Sequence, residues 1–356
     1  MTAPADAIDV HSHLYPPRYV ALLRARGAVP RIVRHAGQDR IVILPGEDAD
    51  ASTAAGRPIG SEYWDSARKL AYMDRHGIAA SLASPANPWL DFLPGPEAAP
   101  IAAAVNEDME AVCEGSAGRL YGLGVLPTRD PALAAAELGR IAQMPHLRGA
   151  IIGTRGAGQG LDDPALEIVW QAAERHALML FVHPHYGLGN EALGGFGHAL
   201  PLALGFPFET TAALARLILC GALDRSPGLR LMAAHAGGVL PTLAGRLDAC
   251  VASDQHSPVR LRHPPSDYLR RLDYDAIGYQ AATLAALASL VGIERIMFGT
   301  DHPFFPPHVA NAELDQAAWH SPAAHRAALH ELGPAFAEAV LHKNASERLG
   351  IPLPPA

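Results

Sequence analysis

The sequence predicts a (β/α)8 TIM barrel, an α/β fold in which eight parallel strands alternate with helices. Three observations predict it. Eight short apolar runs recur along the 356 residues, with helix-like segments between them. The runs are continuously apolar, which indicates strands buried on both faces, as in a parallel sheet. No G-x-G-x-x-G follows the first run, which argues against the rival fold, a doubly wound open sheet.

The predicted strands, in chain order, are Ala7–Val10, Ala79–Ser84, Leu120–Leu126, Gly149–Gly153, Leu178–Val182, Leu229–Ala234, Tyr274–Gly278 and Arg295–Gly299. Helix signals lie between them. Asp130 and Asp163 each precede a proline, a pair typical of a helix N-cap followed by the first helical residue. Ser61 predicts the start of the helix before the second strand. Thr210 or Thr211 predicts the start of the helix after the fifth strand.

Three segments depart from this alternation within a chain that we expect to form one domain over residues 1–356. Residues 28–60 contain two β-like runs around A-G-Q-D, which predict a small β-hairpin insertion after the first strand. Residues 184–208 are rich in glycine and predict a long loop after the fifth strand, a kind of loop that is usually functional. Residues 347–356 predict a C-terminal extension on the surface.

The composition excludes several classes of protein. Hydrophobic residues make up 49% and charged residues 18%, which is typical of a folded chain rather than a disordered one. With 28 basic and 36 acidic residues the net charge is −8, so a basic nucleic-acid surface is not expected. No apolar run is long enough to span a membrane, and the start MTAPADAIDV has no features of a signal peptide. The few, widely spaced cysteines predict a reducing compartment, hence a cytoplasmic protein.

Metal-binding side chains lie at the ends of four predicted strands. His11 and His13 end the first strand in D-V-H-S-H, where residues two apart face the same side. His183 ends the fifth strand, His235 the sixth and Asp301 the eighth. Because strand ends of a (β/α)8 barrel meet at one mouth, the five groups should converge there. Three imidazoles and a carboxylate suit Zn²⁺ or another divalent first-row ion with one open position. The alternative interpretation of the H-x-H pair, taken alone, is two surface histidines at the end of a strand that bind no metal.

These motifs give the chain a family resemblance. I-D-V-H-S-H, F-V-H-P, G-F-P-F-E-T-T, A-H-A-G-G and G-T-D-H-P-F run nearly end to end and resemble the amidohydrolase superfamily, in its decarboxylase branch around aminocarboxymuconate semialdehyde decarboxylase. Some superfamily members place a bridging lysine on the fourth strand. That strand here is R-G-A-I-I-G-T, which predicts a single metal ion. A-N-P-W-L-D-F-L, H-P-H-Y-G-L-G-N-E and G-T-D-H-P-F-F-P-P are most similar to isoorotate (uracil-5-carboxylate) decarboxylases.

The resemblance implies roles for individual residues and a homodimer or homotetramer. The implied roles are metal ligation by His11, His13, His183 and Asp301, catalysis by Asp301 and by His235 beside the open position, and substrate binding by Arg57, Asn87 and Phe304. Each substrate-binding residue also has a simpler interpretation. Arg57 could be a solvated loop residue, Asn87 part of a turn before Pro88, and Phe304 a packing residue at the rim.

The predicted function is metal-dependent, non-oxidative decarboxylation of a ring carboxylic acid. An isoorotate-like pyrimidine is the first candidate substrate and an ortho-hydroxybenzoate the second. One divalent ion is expected, Zn²⁺ first and Mn²⁺ second, without an organic cofactor, because no flavin, pyridoxal phosphate or thiamine signature is present. A metal-dependent hydrolase or hydratase acting on a small cyclic or unsaturated carboxylate would use the same residues. A metal-binding interaction protein without turnover is the non-enzymatic alternative.

Overall fold

A parallel sheet of eight strands forms the centre of the molecule. The computed structural model describes residues 5–307 and 319–353. Within these residues the strands are β1 (Ala7–His13), β2 (Arg31–His35), β3 (Gln38–Val42), β4 (Arg57–Pro58), β5 (Ile78–Ser84), β6 (Leu120–Gly124), β7 (Leu147–Gly153), β8 (Met179–His183), β9 (Arg230–Ala233), β10 (Asp273–Asp275) and β11 (Ile296–Met297). The sheet order is β1-β5-β6-β7-β8-β9-β10-β11, so every sheet neighbour follows in chain order.

Backbone hydrogen bonds bring the first strand and the segment after the last strand together. The N–H of Asp301 donates to the carbonyl of His11 at 2.8 Å, and the N–H of His13 donates to the carbonyl of His302 at 2.7 Å. The sheet is therefore a nearly closed barrel, which confirms the predicted (β/α)8 fold. The same bonds place His11, His13 and Asp301 side by side at the carboxyl ends of the strands, where barrel enzymes have their active sites.

Helices occupy the intervals between the strands and surround the barrel. They are α1 (Pro17–Ala25), α2 (Ser66–Arg75), α3 (Gly95–Glu114), α4 (Pro131–Ile141), α5 (Glu167–Arg175), α6 (Phe206–Leu219), α7 (Ala222–Arg225), α8 (Leu240–Ser253), α9 (Pro265–Leu269), α10 (Ala281–Val291), α11 (His320–Glu331), α12 (Pro334–Glu338) and α13 (Asn344–Leu349). Asp130 caps α4, and Asp163 caps the 3-10 turn that leads into α5, as predicted. The start predicted at Ser61 is wrong, because Asp65 accepts the N–H bonds at the N-terminus of α2.

Side chains alternate between two cores along each strand. In β8, Met179 and Phe181 belong to the core inside the barrel, whereas Leu180 and Val182 pack outward against the helices. His183 comes two residues after Phe181, so it faces the barrel axis at the mouth. This alternation is the reason why the strands are buried on both faces and are continuously apolar in sequence.

Strand β1 departs from strict alternation at the point where the site begins. Its pairing with β5 advances three residues, from Asp9 to Ser12, while β5 advances two, from Ser81 to Ala83. One extra residue of this kind is a β-bulge, which redirects the side chains that follow it. Val10 faces the barrel interior, and the His11 ring lies 4.8 Å from the Phe181 ring in that same interior. The bulge therefore turns the H-x-H pair toward the barrel axis.

The insertion after β1 is the predicted hairpin extended by a third strand. β2 and β3 pair antiparallel, and β4 adds to β3. The two residues of the turn, Ala36 and Gly37, have φ of 48° and 81°. Positive φ at both positions is the pattern of a type I′ hairpin turn, whose twist matches that of the strands. The confirmed insertion brings the third strand to the barrel mouth.

The predicted loop over residues 184–208 is wrong from residue 201 onward. A π-helical turn, Pro201–Gly205, runs directly into α6, so the helix begins well before Thr210. Pro207 lacks an N–H for the helical ladder, and the shifted hydrogen bonds of the π turn lie just before it. The combined helix Pro201–Leu219 has a mean hydropathy of 1.4 and would be long enough to cross a membrane by length and composition alone. Its side chains Leu214 and Leu217 pack in the outer core, as in a core helix.

The described part of the C-terminal segment also corrects a prediction. Residues 347–353 do not form a surface extension, because α13 continues to Leu349 and both Leu349 and Ile351 are buried in the inner core. The Arg348 guanidinium forms an ion pair with Asp273, and Arg230 donates to the Arg348 carbonyl. The sequence suggested an extension because the helix is short and prolines follow it. Residues 354–356 lie outside the described residues.

Candidate active site

Four predicted metal ligands converge at the barrel mouth. The Nε2 atoms of His11 and His13 are 3.2 Å apart, and Asp301 Oδ1 lies 3.2 Å from His13 Nε2 and 3.6 Å from His11 Nε2. The His183 ring centroid is 5.2 Å from that of His11 and 5.4 Å from that of His13. Donor atoms this close, on rigid strand ends, can contact a single ion. The structure therefore brings these four side chains together as the sequence analysis expected.

Hydrogen bonds hold the three predicted imidazole ligands at Nδ1. His13 Nδ1 lies 3.2 Å from the Ser84 hydroxyl, and His183 Nδ1 lies 2.8 Å from the carbonyl oxygen of Pro184. His11 Nδ1 has its own carboxylate partner, described below. With Nδ1 engaged, the lone pair of Nε2 is free for a metal ion, and the ring orientation is fixed.

Burial and charge favour the protonation states that metal binding needs. Burial lowers the pKa of His13 to about 4 and the pKa of His183 well below its usual value. Burial would raise the pKa of Asp301, but the charge of His11 and the nearby imidazoles of His13 and His235 hold it well below its usual value. Neutral imidazoles, as at His13 and His183, and an ionised carboxylate are the forms that ligate divalent ions. Burial would lower the pKa of His11, but the carboxylates around that ring raise it, so an ion must displace a proton there. The donor set thus fits one divalent ion.

Asp275, at the end of β10, supports this cluster, and the sequence analysis missed it. Its Oδ2 lies 2.7 Å from His11 Nδ1 and accepts the N–H of His235 at 2.8 Å. Its Oδ1 accepts the N–H groups of Ala236 and Ile277 at 2.9 and 3.0 Å. A carboxylate on the far nitrogen of a ligating histidine orients the ring and raises its basicity. The predicted seventh strand, Tyr274–Gly278, contained Asp275 but did not end there, whereas the observed strand ends at Asp275 and so places its carboxylate at the barrel mouth.

We expect Asp275→Asn to weaken metal binding or turnover by roughly 10- to 100-fold, the usual cost of losing such a partner of a ligand. The amide keeps the size of the carboxylate but removes the charge that stabilises the ring of His11. A chelator-competition titration measures the metal affinity. Asp267→Asn, at an exposed acidic residue of α9, is the matched control and should change nothing. Wild-type affinity and turnover in Asp275→Asn would contradict the supporting role.

His235 lies in the same cluster, held by an unusual backbone. His235 and Ala236 both have a φ of 55°, and Gly238 follows with a φ of 67°. A Cβ on Gly238 would lie 2.3 Å from the carbonyl oxygen of Pro207, so only glycine fits. His235 Nε2 is 3.8 Å from Asp301 Oδ2, and its buried Nδ1 has no hydrogen-bond partner among residues 5–307 and 319–353. Its imidazole is thus free to act on a group in the cavity.

A cavity of about 780 Å³ opens above the cluster. Every predicted site residue except His11 lines it, and His11 lies beneath with no exposed surface. The other lining residues are His198, Ala199, Leu202, Ala203, Phe206, Pro207, Ile277, Gly278, Tyr279, Phe305, His320, Ser321 and Ala324. A mostly apolar cavity of this size with a few polar groups suits a small ring compound.

Arg57 reaches this cavity because the insertion folds over the mouth. It lies on β4, where it pairs with Ile41 of β3. Gly56 before it has a φ of 68°, and a Cβ there would lie 2.6 Å from the Ile41 carbonyl oxygen. The guanidinium carbon is 5.4 Å from the ring centroid of Phe304. The solvated-loop interpretation therefore does not describe where this side chain lies.

Asn87 and Phe304 also face the cavity. Asn87 is buried, and its Nδ2 donates to the carbonyl oxygen of His185 at 2.5 Å, which fixes the amide. Phe304 stands with its ring centroid 5.2 Å from that of His13, in a T-shaped arrangement. Its backbone N–H donates to the carbonyl oxygen of Asp301 at 2.8 Å. The phenyl ring is thereby tied to the metal cluster at one wall of the cavity.

Comparison with known proteins places the chain in a family. The model of a family described as amidohydrolase matches residues 8–351. The chain belongs to the amidohydrolase family. This amidohydrolase is 38% identical to the crystallised IDCase, an isoorotate decarboxylase, of Metarhizium anisopliae, with a TM-score of 0.91 and 97% of each chain covered. The resemblance to the decarboxylase branch is confirmed.

Two further relatives show how wide that branch is. The amidohydrolase is 25% identical to 2-amino-3-carboxymuconate-6-semialdehyde decarboxylase of Dictyostelium discoideum, over 97% of this chain and 91% of that protein. The dihydroxybenzoic acid decarboxylase of Polaromonas sp. JS666, crystallised with manganese and the inhibitor 2-nitroresorcinol, shares the fold. It is 20% identical, with a TM-score of 0.72 and coverage of 98% of this chain and 97% of that one. These relatives are all carboxy-lyases.

Proposed function

We propose that this amidohydrolase is a metal-dependent decarboxylase of a ring carboxylic acid, with an isoorotate-like pyrimidine as first candidate and an ortho-hydroxybenzoate as second. The observation that carries the proposal is the cavity itself. Its floor is a buried cluster of imidazoles and one carboxylate, its walls are mostly apolar, and a guanidinium lies at its rim. A flat ring bearing a carboxylate matches that arrangement. The identity of 38% to an isoorotate decarboxylase over nearly the whole chain supports it.

The proposed ligands of one divalent ion are His11, His13, His183 and Asp301. When bound, the ion supplies a Lewis acid for the substrate carboxylate and a neighbouring ring oxygen. Zn²⁺ is the first candidate, because three imidazoles and a carboxylate suit it, and Mn²⁺ is the second. No organic cofactor is proposed.

Three side chains are proposed to bind and orient the ring. The Arg57 guanidinium can donate a charge-assisted hydrogen bond to a carboxylate or a ring carbonyl. Phe304 offers an aromatic face or edge to a flat ring, and the fixed Asn87 amide offers an acceptor to a ring N–H or hydroxyl. When the ring is bound in place against the metal cluster, the entropy of orienting the reacting groups is already lost on binding. That entropy then no longer adds to the barrier of the chemical step.

The reaction needs one bond broken and one proton delivered. The bond between the ring carbon and the carboxyl carbon breaks, carbon dioxide leaves, and the electron pair stays on the ring carbon. A proton then bonds to that carbon. We propose that His235 takes up a proton from solvent and delivers it, or that Asp301 does so once the carboxylate is released from the ion, because their side chains are 3.8 Å apart and both line the cavity. The apolar walls formed by Leu202, Phe206 and Ile277 restrict water around the developing charge.

We expect Arg57→Ala to cost about 1.5–3 kcal/mol of binding or transition-state stabilisation, the value of a hydrogen bond to a charged group. Metal content should not change, since arginine is not a ligand. Arg57→Lys should recover part of the loss, because lysine lacks the planar fork. The measurement is steady-state kinetics beside elemental analysis. Arg34→Ala, an exposed arginine of the same insertion, is the control. Unchanged kinetics in Arg57→Ala would remove this residue from the substrate site.

A screen for carbon dioxide release tests the proposed function. The protein, loaded with Zn²⁺ or Mn²⁺, is incubated with pyrimidine carboxylates and ortho-hydroxybenzoates. We expect release with at least one class and none after chelation. Products that have gained water would indicate the hydrolase or hydratase alternative, and no turnover at all would favour a metal-binding protein without activity. A cytoplasmic location and a homodimer or homotetramer remain predictions.

A further inference from the structure

A hydrogen bond between Glu47 and His198 bridges two segments at the cavity mouth. Glu47 lies between β3 and β4 in the insertion, and His198 lies in the segment after β8. His198 Nε2 is 2.6 Å from Glu47 Oε1. His198 lines the active-site cavity, whereas its partner belongs to the insertion that covers the mouth. The pair thus fixes an imidazole on the cavity wall.

The surroundings of Glu47 determine which member of the pair donates the hydrogen bond. Its Oε2 accepts the backbone N–H groups of Ile43 and Leu44, both at 2.8 Å, and the side chain is buried. Burial would raise the pKa of Glu47, but the hydrogen bond from His198 and the charge of Arg57 lower it. An ionised carboxylate has only acceptors. His198 must therefore donate through Nε2.

Because Nε2 donates to Glu47, Nδ1 is the atom of His198 that is left to bind a ligand. A neutral imidazole that donates through one nitrogen accepts through the other. No hydrogen bond to Nδ1 is present within residues 5–307 and 319–353. The neighbouring wall is apolar, formed by Ala199, Leu202, Ala203 and Phe206. A polar group of a bound ring on this side would find His198 as its hydrogen-bond partner.

We propose that His198, oriented by Glu47, determines substrate specificity by accepting a hydrogen bond from an N–H or O–H group on the substrate ring. The inference rests on the proposed function, because it concerns the ring that the metal cluster decarboxylates. It narrows the substrate class to ring carboxylates that carry a hydrogen-bond donor on the side facing the insertion. A pyrimidine with a free ring N–H and a phenol both meet this requirement. Their N-methyl and O-methyl derivatives do not.

The test uses pairs of ring carboxylates that differ by one methyl group on the ring N–H or O–H. The wild-type holoenzyme should prefer the unmethylated member, and His198→Ala should reduce that preference by about tenfold, equivalent to about 1.4 kcal/mol. His198→Gln, which keeps one donor and one acceptor, should restore part of it. The readouts are kcat/KM for each member and calorimetric Kd values. His35→Ala, an exposed histidine of the insertion, is the control.

Glu47→Gln should change the substrate preference in a direction that the loss of a purely structural contact would not produce. The two backbone N–H groups require an oxygen at the Oε2 position, so the amide NH₂ would face His198. The imidazole would then accept through Nε2 and donate through Nδ1. We therefore expect Glu47→Gln to shift the preference toward rings that carry an acceptor at that position, with unchanged metal content.

The outcomes separate this inference from the proposed function. Turnover of ring carboxylates with wild-type preference in His198→Ala and in Glu47→Gln would overturn the role of His198 and leave the decarboxylase proposal intact. Absence of turnover with every carboxylate would overturn the proposed function, on which the inference rests. If His198→Ala does not fold, as judged by its melting temperature, His198→Gln and Glu47→Gln still decide the question. An unchanged preference in both would reject the inference.

Discussion

Replacing His11 or His183 with alanine is expected to remove the divalent ion and to abolish detectable turnover while the protein still folds. Each substitution deletes one of four donors in a cluster whose other members cannot move to fill the gap, because they lie on barrel strands or are hydrogen-bonded. Both imidazoles lie at the carboxyl ends of their strands, above the apolar side chains that fill the barrel, so the fold should survive their removal. Elemental analysis of the purified variants measures metal content, and circular dichroism with thermal melting checks the fold.

The control for this prediction is His256→Ala, since His256 is exposed and follows the end of α8. It should hold as much metal as the wild type and retain full activity. The ligand assignment fails if purified His11→Ala keeps stoichiometric metal after dialysis against chelator. Loss of metal in His11→Ala but not in His183→Ala would leave His183 outside the ligand set, with His235 as the next candidate because it lies equally near His11.

His235→Asn should hold the ion and lose about 10²- to 10⁴-fold in kcat, the usual contribution of a general acid–base group. Asparagine suits the test because it tolerates the positive φ of 55° that this position requires. Its amide cannot deliver a proton to carbon. Single-turnover kinetics with the best ring carboxylate, beside metal analysis of the same sample, give both quantities.

Two other results would change the role of His235. Loss of metal from His235→Asn would make it a ligand, which its position in the cluster with His11 and His183 permits. Turnover within a few-fold of the wild type, at full metal content, would leave Asp301 as the proton donor. Either result is distinct from the outcome expected for a proton-transferring residue beside the ion.

The proposed ligands could be located from sequence because strand ends carry a strong local signal. His183 follows a buried apolar run directly, and the barrel places every such position at one mouth. The β1 bulge could not be predicted, since pairing with β5 creates it and no residue of D-V-H-S-H marks it. The H-x-H pair nevertheless lies at the barrel mouth as expected, because the bulge includes His11 and leaves its ring beside those of His13 and Phe181.

The supporting residues were missed for a different reason. Asp275 ends a strand of only three residues, and its role depends on His11, which is far away in the sequence. Glu47 and His198 belong to two segments that composition marks only as an insertion and a loop. Their 2.6 Å contact exists because the insertion folds over the mouth. Contacts between irregular segments are set by tertiary packing, which neither periodicity nor turn residues reveal.

The origin of the atoms in the product tests the central claim most directly. The metal-loaded protein is incubated with an isoorotate-like pyrimidine or an ortho-hydroxybenzoate in deuterated water enriched in heavy oxygen, and the product is analysed by mass spectrometry. Decarboxylation predicts loss of the carboxyl group, one deuterium on the carbon that carried it, and no heavy oxygen in the ring product. A product that keeps its carboxyl group and incorporates heavy oxygen would contradict the account and indicate hydrolysis or hydration at the same site.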